Sequence, residues 1–108
     1  MFVTTEEVLA YVGVKTPSEA DTLWASLCAR AVNDGVMVRL NCALITDPPP
    51  DELHIAATMA AGEAYKRREA PFGGTYYEAE AVAVNLARDY LNGVAPIIAR
   101  YSAGPGIG

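Results

Sequence analysis

The chain has 108 residues, 52% of them hydrophobic, and a formal net charge of −5. That length makes one domain, with a modest core that needs no disulfide or metal. The acidic balance argues against direct binding of duplex nucleic acid, which rests on Lys and Arg, and is read first as an aid to solubility.

The N-terminus has Thr4, Thr5, Glu6 and Glu7 where a signal peptide would need basic residues and then an apolar run. No stretch approaches the roughly 20 apolar residues of a membrane span. Cys28 and Cys42 form no close motif, and a disulfide framework would need more cysteines. A soluble protein made in a reducing cytoplasm is expected, with Cys28 a small hydrophobe on a buried helical face.

Residues 4–12 read as a short helix. Thr4 caps it, Glu7 completes a capping box, and Gly13 stops it. Val8, Leu9 and Val12 form its apolar stripe, with Tyr11 beside them. A second start signal follows at Thr16-Pro17-Ser18-Glu19, with Thr16 as cap and Pro17 in the first helical position. The next helix carries Ala20, Leu23, Trp24, Leu27, Cys28 and Ala31 on one face, and Asp21 and Arg30 on its polar side. Its end has two readings. Asn33-Asp34-Gly35 is a stop and hairpin signal, and Val36, Val38 and Leu40 alternate as in a strand. Val32, Val36 and Leu40 also continue a helical face, and a long helix with Gly35 as an irregularity is preferred. An extended stretch is expected over 43–46.

The central helix spans roughly 50–69 within PPPDELHIAATMAAGEAYKRREAPFGG. Three prolines stiffen its approach. Asp51 and Glu52 suit the positive end of the helix dipole, and Lys66, Arg67 and Arg68 the negative end. Leu53, Ala57, Ala60 and Ala64 make one apolar stripe, and Ile55 and Met59 a second. A helix apolar on several sides is expected to be buried on several sides. After the Phe72-Gly73-Gly74 loop, 76–91 reads either as a strand through Val82, Val84 and Leu86 or, slightly preferred, as a helix. Asn92 would cap a last short helix over 94–101, with Pro96 in its first turn. Residues 102–108 are Gly-rich and read as a mobile tail. The expected fold is a mainly α bundle of about four helices over 1–101, with a short β-hairpin or extended segments open near 36–46 and 76–88.

The inventory holds no catalytic or ligand motif. His54 is the only histidine, with nothing to mark a nucleophile or an orienting group. His54, Cys28 and Cys42 are too scattered to suggest a metal site, and Gly73-Gly74 lacks the Lys and Ser/Thr of a phosphate loop. No enzyme activity and no cofactor is expected. Lys66, Arg67 and Arg68 serve the helix dipole and solvation, or meet an acidic patch on a neighbour. Tyr76 and Tyr77 either fold back on the core or anchor an interface.

Taken together, the layout resembles the head–tail connector (head-completion or adaptor) proteins of tailed bacteriophages. The opening VTTEEVLAYVGVKTPSEADTLWASLCARA, the PPPDELHIAATMAAGEAYKRREAPFGG block with its Gly-rich exit, and the ending GVAPIIARYSAG carry the resemblance. It departs from that pattern at Asn33-Asp34-Gly35 and over 77–91. The resemblance implies a structural virion protein of the neck, made in the host bacterium. Its partners would be itself in a ring, typically twelve-fold, the portal protein, and the next neck or tail protein. Genome DNA would pass through the channel without sequence-specific binding, and no membrane would be involved. Lys66, Arg67, Arg68, Phe72, Tyr76 and Tyr77 are then the candidate subunit-interface residues. Tyr101, Ser102, Pro105 and Ile107 are the candidate portal- or neighbour-contacting tail. The competing reading is a small helical DNA-binding or regulatory module, which would need a basic recognition helix.

Overall fold

A computed structural model describes residues 1–40, 48–67 and 76–101, with the side chains of 76–78 outside the description. Five helices follow in order: α1 (Thr5–Val12), α2 (Glu19–Leu40), α3 (Asp51–Lys66), α4 (Tyr76–Gly93) and α5 (Ala95–Ala99). The fold is a small mainly α bundle, and no strand occurs among the described residues. The expected extended stretch at 43–46 lies outside them, as do Cys42 and the 102–108 tail.

Both ends of α1 form as the residue pattern predicts. The Thr4 Oγ1 accepts from the Glu7 N–H at 3.1 Å, and the Glu7 carboxylate accepts from the Thr4 N–H at 2.8 Å. Two otherwise orphaned amides are thereby satisfied. Gly13 ends the helix at φ 82°, a left-handed conformation that glycine adopts without a Cβ penalty. Val14 N–H then reaches back to the Leu9 carbonyl at 3.0 Å.

The start of α2 is displaced from its expected position. Ser18, not Thr16, is the cap: the Asp21 N–H donates to Ser18 Oγ at 3.1 Å, and the Ser18 N–H donates to Asp21 Oδ2 at 3.0 Å. Residues 15–20 are all exposed, so an earlier start would add a turn with nothing to bury, and packing is what stabilises most protein helices. The buried seam is rotated for the same reason. Trp24, Leu27 and Cys28 are buried as expected, and Ala25, Val32, Val36 and Leu40 join them, but Ala20 and Leu23 face outward.

Asn33-Asp34-Gly35 neither stops α2 nor turns it. Asn33 Oδ1 accepts from the N–H groups of Phe2 and Val3, at 2.8 and 3.0 Å, and its Nδ2 donates to the Val3 carbonyl at 2.9 Å. The segment before α1 is thus tied to mid-α2, and Phe2 and Val3 are buried. Gly35 lies where α4 approaches. A Cβ there would sit 2.5 Å from Leu91 Cδ1. The helical penalty of glycine, about 1 kcal/mol, is accepted for that close packing.

The central α3 is antiparallel to α2, since the Trp24 indole near the start of α2 donates to the Tyr65 carbonyl near the end of α3 at 3.1 Å. Its inward face is Leu53, Ala57, Ala60 and Ala64, as predicted, with Ala56 and Ala61 alongside. The second stripe is a correction: Ile55 is 55% exposed and Met59 44%. Both side chains fall on the same helical row as Glu52 and Lys66, opposite the alanines. Small residues let helices approach closely, and here the neighbouring helices pack on the alanine side and leave Ile55 and Met59 outside.

Residues 76–93 are helical. Ala83, Ala87 and Leu91 are buried at a spacing of four, whereas Val82 and Val84 are exposed and Leu86 half-buried. The helical period therefore carries the packing. Because α4 continues through Gly93, Asn92 is not a cap. Val94 occupies that position before α5, which is shorter than the expected 94–101. Pro96 lies in the first turn of α5, and Ile98 closes the end of the core. Buried residues from all five helices belong to one hydrophobic cluster.

Candidate functional site

The expected interface residues at the end of α3 are engaged inside the subunit. Lys66 Nζ pairs with Glu63 at 2.9 Å and lies 5.2 Å from the centre of the Tyr11 ring. The Tyr11 hydroxyl donates to the same Glu63 oxygen at 2.9 Å. The ring of Tyr11 covers Gly62, and a Cβ at that position would overlap it. The hydrogen bond from Lys66, helped by that from Tyr11, holds the Glu63 carboxyl below its ordinary range. The hydrogen bond to Glu63 raises both the Lys66 ammonium and the Tyr11 phenol. Arg67 reaches the Tyr90 hydroxyl at 3.4 Å. Arg68 and Phe72 lie outside the described residues. Tyr76 and Tyr77 open α4, but their side chains are not described.

At the other end of α3, Tyr101 is the described member of the expected tail. Its hydroxyl donates to Glu52 Oε1 at 3.0 Å, and Arg100 pairs with Glu52 Oε2 at 2.6 Å. The hydrogen bond to Glu52 raises the Tyr101 phenol. Ser102, Pro105 and Ile107 lie outside the described residues.

These two clusters bracket one face. Glu52, Ile55, Met59, Gly62 and Lys66 recur at alternating steps of three and four, which is one row of an α-helix. The outer face of α3 therefore has an ionic clasp at each end and exposed Ile55 and Met59 between them, with the Tyr11 ring extending the apolar part. Sequence reasoning singled out Lys66 and Tyr101 separately, without their partners, and placed Ile55 and Met59 in the core. The row itself was readable, because Ile55 and Met59 share it with charged Glu52 and Lys66.

A second apolar surface lies between α2 and α4. It is a shallow groove lined by Leu27, Ala31 and Val84, with Arg30, Asp34 and Glu80 at its rim. Leu23, one turn before Leu27, is 48% exposed, and Val84 is 50% exposed. Since α3 packs on both α2 and α4, it covers one side of that pair, and the groove opens on the other. No sequence signal singled out Leu23 or Val84 as surface residues, because Leu23 fits the apolar stripe of α2 and Val84 the alternation of a strand.

A third feature joins α1 to α3. His54 Nε2 contacts Glu7 Oε2 at 2.5 Å, beside Asp51, Pro48 and Phe2. Burial alone would raise the Glu7 carboxyl, but hydrogen bonds from the Thr4 N–H and His54, with the imidazole's charge, hold it below its ordinary value. The pair ties the capped start of α1 to the first turn of α3. Among the described residues, no group of three His, Cys, Asp or Glu is placed to hold a metal ion, and no helix is long and apolar enough to cross a membrane.

Comparison with protein-family models, with curated proteins and with solved structures finds no match to this chain.

Proposed function

We propose that the chain is a structural subunit of the head–tail connector type, which assembles as a ring on a portal, extends the DNA channel and joins the capsid to the tail. One observation carries the reading: two different apolar surfaces are exposed on separate sides of the same small bundle, at Ile55 and Met59 on α3 and at Leu23 and Val84 beside the α2–α4 groove. An assembly that repeats head to tail needs two unlike patches on each subunit. Contiguous exposed apolar surface on a small domain is a usual mark of a protein contact.

The charge supports the same reading. A net charge of −5 suits a channel wall that DNA must slide past without binding. The described cations near the end of α3 are held by Glu63 and Tyr90, an arrangement that serves the bundle rather than a phosphate backbone.

Native mass spectrometry of the pure chain, alone and mixed with purified portal rings, tests the reading. The expected result is a defined multiple of the chain bound to each portal. A chain that ignores portals yet binds duplex DNA in a salt-dependent way would overturn it in favour of a small DNA-binding module.

A further inference from the structure

We draw no further inference here: the strongest candidate, the apolar patch of Ile55 and Met59 on the outer face of α3, is flanked by Glu52 and Lys66, whose charges are already held within the subunit, and nothing in the structure shows what covers it.

Discussion

The two faces of α3 invert the usual distribution of bulk. Its inward face is Leu53 and a run of alanines, all buried, while the larger Ile55 and Met59 stand on the outward face between two polar clasps. Close helix packing explains the first face: alanine lets α1, α2 and α4 come near. Among the described residues, the second face is met only toward its ends, by Tyr11 over Gly62 and Lys66 and by Arg100 and Tyr101 at Glu52. On one helix, then, the alanines mark where the chain packs on itself, while Ile55 and Met59 stay exposed.

Substitution can break that comparison, and the largest expected effect is at Leu53. Leu53→Ala should cost about 2–5 kcal/mol, the lost transfer of a buried side chain plus its cavity, whereas Ile55→Ala should change stability by less than about 0.5 kcal/mol. Urea unfolding of the two variants measures the contrast. Equal losses would mean that Ile55 is buried after all. The next contrast is steric. Ala60→Leu should overpack the inner face and cost about 1–3 kcal/mol, while Met59→Leu should leave the melting temperature nearly unchanged. An unshifted melt for Ala60→Leu would show room against the inner face and remove the explanation from close approach.

The smallest effect is electrostatic, at the edge where α1 meets α3. The folded Glu7 carboxyl lies below its ordinary value, so it binds its proton less readily than in the unfolded chain. Its contribution is complete above the ordinary carboxylate range, near pH 4.3, and is lost as pH falls through the lowered folded value. Glu7 is more than a third exposed, so solvent screening keeps the effect to less than about 1 kcal/mol. The stability gap between wild type and Glu7→Gln should therefore shrink as pH falls below the ordinary carboxylate range. A gap that widened in acid would reverse the assignment.

Much of the fold is legible in the order of residues. The capping box of Thr4 and Glu7, the Gly13 stop and the alanine stripe of α3 are local signals, each decided by residues within one or two turns. The 76–93 region is less legible, because its valines alternate while its alanines follow a helical period, and only burial of Ala83 and Ala87 separates the two. Asn33-Asp34-Gly35 misleads in part. Its turn chemistry is genuine in isolation, but Asn33 spends its amide on residues 2 and 3, and Gly35 serves the approach of Leu91. Of the candidate interface, Lys66 is legible as a helix-end charge and Tyr101 as a residue of the tail, but neither as a partner of Glu63, Tyr11 or Glu52. Leu23 and Val84 are not legible at all as surface residues.

The amino-acid sequence by itself determined that the chain is mainly helical, where α1 begins and ends, where α3 begins, and which face of α3 is lined with alanine. Those outcomes follow from periodicity and from hydrogen bonds between near neighbours. Tertiary structure alone decided which apolar residues remain outside. Exposure of Leu23, Ile55, Met59 and Val84 depends on how many neighbours reach each helix. A one-dimensional pattern records that a residue is apolar, but not whether anything lies against it.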